Sequence, residues 1–427
     1  MRASLSFGLP CLGLASLVAV WTGCSGAKNA LIGAGDAGAD GPTASSGGGS
    51  GGSSGGTSSG GSGGGSGGGS GGGSGGGSGS SGGDDGGNCP PCDPANVNLP
   101  GSSCDLDCSG TTSPPGPCDG NLTVSGPAAD FAKALGICQM ATASSWGLVS
   151  ATYTQGYEST TAPNAGQHGI LPDFGAAVAP REGAKLGVLS SGYAMLCDDA
   201  SATAACAGTG TGDPYFKGAQ TAMDTANGVA PPGYPKGTGA CTVTPTLFDT
   251  IGVTLQIKVP KNVSGMSFDF DFYTSDWPEY VCSTYNDEFV AWLQSGAWAG
   301  NGGDLNVAFA PGGDVISVNS PFLGQCTAAT PTGCAGTTPG PTSTCPAGPA
   351  ALLGTGFYNL GTYCTSASVG GGATGWLTTT APVNGGETIT LQLIIWDTGD
   401  ANWDSSVLVD NLKWYAIPQT VKTAPAQ

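Results

Sequence analysis

The sequence predicts an all-β fold: an antiparallel β-sandwich of jelly-roll-like type with one short N-terminal helix, preceded by a disordered Gly/Ser linker. Three observations carry that expectation. From residue 120 onward apolar residues come in short runs bounded by Gly, Pro, Asn and Asp, the punctuation of strands and turns. Charged residues make up only 10% of the chain, so the Glu, Lys and Arg that solvate helix faces are scarce. No strand–helix–strand rhythm occurs, which removes a parallel sheet and leaves a sandwich or jelly roll.

The elements follow in order. Residues 1–23 carry one positive charge, Arg2, then an apolar run from Leu12 to Trp21 that is too short to span a bilayer; this is the pattern of a secretory signal peptide. Trp21-Thr22-Gly23-Cys24 resembles a bacterial lipobox, which implies a lipid on Cys24, with residues 24–44 as the anchor segment. An ordinary secreted protein that happens to carry Cys24 is the other reading. No Asp follows Cys24, and by the same resemblance that implies an outer-membrane lipoprotein displayed at the cell surface. From Ser45 to Gly83 every residue is Gly or Ser except Thr57, so residues 45–88 read as a disordered tether. Its mean reach is on the order of 35 Å. Low-complexity sequence without a selected length is the alternative.

Sixteen Cys are present; Cys11 falls in the signal and Cys24 at the anchor, and the remainder are even in number, which in an exported chain argues for disulfides. Cys89, Cys92, Cys104, Cys108 and Cys118 make residues 89–119 a Cys-rich collar, and disulfides are expected there rather than zinc. Cys89-Pro90-Pro91-Cys92 lacks the surrounding βαβ pattern of a thioredoxin-like redox site. Five Cys in the collar and nine beyond it require at least one bridge between collar and body if all pair.

The body spans residues 120–418, with a tail at 419–427. A helix is expected over 127–138, where Ala128, Phe131, Ala132, Leu135 and Ile137 approximate one face and Gly136 stands near the end. Strands are expected at 253–259, 268–272, 287–293, 306–309, 315–318, 388–396 and 406–414. In 268–272 three Phe alternate with Asp269 and Asp271, which reads as a half-buried strand with its carboxylates in water. The Cys-, Thr- and Pro-rich stretch 325–349 reads as a surface excursion.

These residues resemble a family. Trp146-Gly147-Leu148-Val149-Ser150-Ala151, Gln167-His168-Gly169-Ile170, Val188-Leu189-Ser190-Ser191-Gly192 and Pro232-Gly233-Tyr234-Pro235 occur in order. They are followed by 268–281 (Phe-Asp-Phe-Asp-Phe-Tyr-Thr-Ser-Asp-Trp-Pro-Glu-Tyr-Val), 285–289, 317–319, 373–377, 397–400 and 404–411. Together they resemble the bacterial choice-of-anchor L domain, in the Cys-containing form met in exported proteins of myxobacteria, over roughly the whole body. The resemblance implies an extracellular β-rich module attached to cells by varied anchors. It carries no established activity.

Candidate sites are few. The chain has 11 Lys and Arg against 30 Asp and Glu, a net charge of −19, which excludes nucleic acid as a partner because phosphate binding needs a basic surface. His168 is the only histidine, and a structural hydrogen-bonding role is expected for it rather than catalysis. Neither a Gly-x-Ser-x-Gly elbow nor a His-Glu-x-x-His helix is present. Two acidic loops stand out: Asp276-Trp277-Pro278-Glu279 with Asn286-Asp287, and Asp397, Asp400 and Asp404. No Lys or Arg lies between Lys261 and Lys413. Carboxylates gathered without basic partners are relieved by solvent, by protons or by a hard cation, and Ca²⁺ takes six to eight oxygens. The expectation is that both loops meet at one end of the sandwich and bind calcium through Glu279, Asp287, Asp397 and Asp404, with Asn286 and Asp400 as further candidates. Simple solvated turns are the alternative. Asp410-Asn411 is expected to satisfy buried backbone groups. Trp277 and Trp403, in loop-like settings, are candidates to stack on sugar rings, against packing on the sandwich edge. The chain therefore reads as a non-catalytic, lipid-anchored surface module for adhesion or extracellular polymer binding with calcium-ordered loops, its partner a polysaccharide or a surface protein. A carbohydrate-active enzyme pairing Glu279 with Asp287 or Asp404, or a purely structural envelope component, are the alternatives.

Overall fold

A computed structural model describes residues 117–175, 177–194, 228–326, 347–357 and 371–427. The signal peptide, Cys24, the anchor segment, the tether, nearly all of the collar and most of the 325–349 excursion lie outside the described residues.

One helix, α1 (Ala128–Ala134), precedes thirteen strands: β1 (Gly147–Thr154), β2 (His168–Leu171), β3 (Leu186–Ser190), β4 (Leu247–Lys258), β5 (Gly265–Thr274), β6 (Glu288–Gln294), β7 (Ile316–Ser317), β8 (Gln325–Cys326), β9 (Gly372–Ala373), β10 (Leu377–Pro382), β11 (Thr388–Thr398), β12 (Ser405–Tyr415) and β13 (Lys422–Pro425). They form two antiparallel sheets, ordered β1-β4-β11-β6-β7 and β13-β10-β5-β12-β3-β2, with β8 and β9 extending the second from the end of β5. The fold is the antiparallel sandwich expected, with one short helix. None of the helices described is long and apolar enough to cross a membrane.

The main core lies between the sheets. Ile251, Val253, Leu255 and Ile257 of β4 and Ile389, Leu391, Leu393 and Ile395 of β11 face Met266, Phe268, Phe270 and Phe272 of β5 and Val407 and Val409 of β12. The residues recur every second position because successive strand side chains point to opposite faces. Helix α1 adds Phe131 and Ala132 to this core. It is shorter than expected: Gly136 takes a left-handed conformation (φ 94°), and Ile137 donates its N–H back to the Ala132 carbonyl, closing the helix. Residues 306–309 make isolated bridges at Asn306 and Phe309 in place of a strand, since Asn306 Oδ1 takes the backbone N–H of Ala291 and Ala308.

The outer faces are covered as well. Val290, Trp292, Ile394 and Trp396 pack outside the first sheet against Tyr157 and Tyr234. Val188, Tyr273 and Leu408 pack outside the second against Phe174, Leu352 and Phe357. This corrects the expectation for 268–272: every residue of β5 is buried, and its carboxylates are held by protein donors instead of water. Asp269 accepts from Arg181 Nε (3.1 Å), Thr378 Oγ1 (2.6 Å) and Asn411 Nδ2 (2.8 Å). Asp271 accepts from Tyr273 Oη (3.1 Å) and Thr374 Oγ1 (3.2 Å), and burial pushes its carboxyl up to about 7.

Among the described residues, two disulfides with both ends placed fasten loops to this frame. Cys118–Cys138 ties the last Cys of the collar to the segment after α1, a collar-to-body bridge of the kind the Cys count demands. Cys241–Cys282 ties the approach to β4 to the turn between β5 and β6.

Candidate functional site: a buried carboxylate cluster

Six strand ends converge at one end of the sandwich. Asp276 lies just past β5, Asp287 just before β6, Asp397 in the last turn of the β11 ladder, Asp404 just before β12 and Asp249 near the start of β4, while Ser191 follows β3. β4, β6 and β11 belong to one sheet and β3, β5 and β12 to the other, so the cluster joins the two. Each carboxylate is placed by a strand terminus, where ladder pairing stops and a side chain must satisfy what the backbone no longer does.

The cluster is dry. Asp276 and Asp287 are 2% exposed, Asp397 1% and Asp404 0%. Asp287 is the best satisfied: Thr398 donates its N–H to Oδ1 (3.0 Å) and Ser405 its hydroxyl to Oδ2 (2.7 Å). Asp276 and Asp287 lie within hydrogen-bonding reach of each other, which requires a proton between them. The Ser191 hydroxyl borders Asp397 but is engaged by Ser405, accepting its N–H (2.9 Å) and donating to its carbonyl (3.2 Å). Neither Asp397 oxygen has a donor in hydrogen-bonding geometry.

Burial dominates the acidities here, and like charge adds to it. Burial, then the charges of Asp287, Asp400 and Asp404, hold Asp276 well above the ordinary carboxylate range. Burial, then Asp287, Asp404 and Asp249, does the same to Asp397. Burial raises Asp287 to about 7, against the opposing hydrogen bonds of Ser405 and Thr398. The backbone is bent to hold these groups: Asp249 (φ 48°) and Trp403 (φ 65°) are non-glycine residues in the left-handed region. Gly192 packs so closely on Asp404 that a Cβ there would collide with its carboxylate.

The structure thus brings Asp287, Asp397 and Asp404 together, with Asp400 half-buried on the rim and felt by Asp276. Other expected residues go elsewhere. Asn286 turns to a separate buried network: its Nδ2 donates to the Lys236 carbonyl (3.3 Å) and Glu288 Oε1 (3.3 Å), and its Oδ1 accepts from Asn319 (2.7 Å). Glu279 is buried (3% exposed) on the turn after Asp276, and its charge acts on Tyr280. Trp277 and Trp403 are corrections to the stacking expectation. At 2% and 7% exposure neither offers a ring face to a sugar, because Trp277 fills a pocket with Val281, Val318, Leu323 and Cys326 and Trp403 is tucked into the turn before β12. For the same reason a catalytic pair of Glu279 with Asp287 or Asp404 would need these end loops to open. His168 opens β2 and stacks on Tyr153 (ring centroids 3.7 Å apart), where burial lowers it to about 4. Asp410 accepts from the N–H of Arg181 (2.6 Å), Glu182 (3.2 Å) and Asn411 (2.6 Å), the backbone role expected of it.

Two members were missed from sequence. Asp276 stood in the acidic loop beside Glu279, and the strand period of β5 was the available signal that it, four residues on from Phe272, sits at the strand end. Asp249 carries no local signal, since Leu247-Phe248-Asp249-Thr250 reads as an ordinary strand start.

Chemically, four buried acids around an undonated carboxylate form a site for positive charge, supplied by protons or by a hard cation. Among the described residues no group of three or more His, Cys, Asp or Glu stands in an arrangement that could hold a metal ion, so a cation would require these side chains to move. No curated protein and no solved structure matches the chain. The segment 252–412, from within β4 to within β12 and including Asp276, Asp287, Asp397 and Asp404, matches the family model of the Choice-of-anchor L domain, a surface-associated type that is not a known enzyme family.

Proposed function

We propose that this chain is a non-catalytic module displayed on the cell surface through lipidated Cys24, and that it binds extracellular polymer with Ca²⁺ ordering the cluster end. The observation that carries the cation is Asp397: fully buried among Asp276, Asp287 and Asp404, with neither oxygen donated to. A divalent cation would replace the protons of the cluster, drawing Asp287, Asp397 and Asp404 inward with Asp276 and Asp400 as further oxygens. The loops 275–287 and 399–404 would then be fixed against both sheets at once. Titration calorimetry of chelator-stripped full chain with CaCl₂, beside melting curves, tests this. Heat and a raised melting temperature in the parent, both lost in Asp397→Asn/Asp404→Asn, are the expected result. A parent that gives neither refutes cation binding. Retention on immobilised glycans with and without Ca²⁺ tests polymer binding, and metal-independent silence across the panel removes it.

A further inference from the structure

On the outer face of the second sheet, away from the cluster, four strands leave a groove of about 330 Å³. That volume falls within the range of small-molecule clefts, roughly 300–1,000 Å³. It is built from the outward positions of β5 (Ser267, Asp269), β12 (Lys413, Tyr415), β10 (Thr378, Thr380) and β13 (Lys422), with Arg181 and Asn411 at one side. The inward positions of the same strands, among them Phe268, Leu377 and Trp414, belong to the core. The shift of register in β12 between Asp410 and Lys413 matters here: an extra residue opposite β5 carries Asn411 at φ 58° and returns Lys413 to the outer face.

Its charge is opposite to that of the molecule. Three of the chain's 11 Lys and Arg line this one groove of a protein whose net charge is −19. Asp269 is the side-chain carboxylate in the lining, and it is spoken for by Arg181, Thr378 and Asn411; Arg181 also donates to the backbone oxygen of Gln427 (2.8 Å), so the cations that face a ligand are Lys413 and Lys422. Glu182 feels Lys413 from the neighbouring loop. Lys422 is exposed and Lys413 half-buried, so both ammonium groups can meet a ligand.

The hydroxyls have capacity left. Thr378 spends its proton on Asp269 and Thr380 donates to the Thr420 carbonyl (2.7 Å), so each keeps lone pairs to accept with. Ser267 and Tyr415 share one hydrogen bond (3.1 Å), which leaves one hydroxyl proton to donate. A ligand that matches must carry hydroxyls that both donate and accept, and a negative group at the Lys413–Lys422 side. A carboxylated sugar has both. Bare phosphate has no use for the hydroxyl row, and a Lys pair lacks the fork geometry that favours it.

We propose that this groove binds the acidic sugar units of a uronate-containing polysaccharide, with Lys413 and Lys422 on the carboxylate and Thr378, Thr380, Ser267 and Tyr415 on ring hydroxyls. This names the polymer class for the surface-binding reading above, and it does not depend on the cluster: Asp269 lies about 17 Å by strand rise from the Thr274 end of β5, and Asp276 follows that end.

The test is titration calorimetry of the full chain with trigalacturonate, maltotriose and inorganic phosphate, all in EDTA so that a metal at the cluster plays no part. Trigalacturonate is expected to bind, maltotriose and phosphate at least tenfold more weakly, and Lys413→Ala/Lys422→Ala to lose tenfold or more with an unchanged melting temperature. Thr378→Val, which keeps the charge and removes a hydroxyl, is expected to weaken trigalacturonate and leave phosphate unmoved. Absence of trigalacturonate binding, equal binding of phosphate, or full binding by the double Lys variant overturns the proposal. Asp397→Asn/Asp404→Asn should bind trigalacturonate as the parent does, so failure of the cation site and failure of the groove are read separately.

Discussion

Asp287→Asn isolates the cost of ionising the cluster. The carboxyl of Asp287 stands at about 7 in the folded chain, against 3.8 when unburied. A folded value above the unfolded one means that the native state holds the extra proton, so this stabilisation is complete below pH 3.8 and is lost as pH rises through 7. Between pH 5 and pH 8 one such group loses about 2.5 kcal/mol at 1.36 kcal/mol per unit. An amide cannot ionise, and it keeps an oxygen for the Thr398 N–H, so the variant should lack that loss while preserving that hydrogen bond. The assay is urea unfolding in EDTA at pH 5, 6, 7 and 8, read as the difference between parent and variant. Groups away from the cluster titrate equally in both and cancel, while Asp276 and Asp397 are relieved of the Asp287 charge in the variant, which shifts the difference in the same direction. The variant should gain on the parent by about 2.5 kcal/mol across the range, roughly 4 °C in melting temperature for a domain of this size. Parallel curves for the two proteins would show that Asp287 is ionised throughout, and the reading of a dry, proton-held cluster would fail with it.

Three further outcomes follow from the geometry. His168 titrates the opposite way: burial lowers it to about 4, so the unfolded chain binds its proton first and stability drops as pH falls from 6.5 to 4, by about 2.5 kcal/mol. His168→Phe keeps a ring on Tyr153 and should flatten that acid limb of the unfolding curve; an unchanged limb would place the acid sensitivity elsewhere. Cys241→Ser/Cys282→Ser opens a loop of 41 residues and should cost about 4 kcal/mol by chain entropy, seen as a lower urea midpoint, whereas a midpoint within error of the parent would count against a closed bridge. Gly192→Ala forces a methyl into the Asp404 carboxylate and should cost about 2 kcal/mol in the same assay, with a null result meaning that the β3 end has room to retreat.

The strands were legible because their alternation is local. Phe268, Phe270 and Phe272 announce a face by themselves, and Val253 to Ile257 do the same. What alternation could not show is what lies over the second face. Asp269 and Asp271 read as water-facing because charged residues alternating with Phe usually are, yet Arg181, 88 residues away in sequence, and Thr374, 103 away, supply their partners. The same blindness governs the site. The loops carrying Asp287, Asp397 and Asp404 were readable as acidic and cation-poor, whereas Asn286 left for the Lys236 and Asn319 network, a choice made by neighbours distant in the chain. The burial of Trp277 and Trp403 was illegible for a related reason: Gly- and Asp-rich flanks mark a turn and say nothing of how deeply it is pressed into the sandwich.

Burial of the cluster has a thermodynamic consequence that a surface site would lack. A cation that enters only the folded state stabilises by RT ln(1 + [L]/Kd), about 2.7 kcal/mol at a hundred times Kd. That nearly equals the roughly 2.5 kcal/mol that ionising one Asp287-like group removes between pH 5 and pH 8. If the proposed cation binds at the cluster it would offset one ionisation at moderate saturation, and with CaCl₂ present the falling stability of the parent toward pH 8 should level off. Asp276, Asp287 and Asp397 all sit above the ordinary carboxylate range, so affinity itself must climb with pH as each proton gives way. Calorimetry at pH 6 and pH 8 reads that climb directly. An affinity independent of pH would mean that the metal binds carboxylates already ionised, and so outside this buried set.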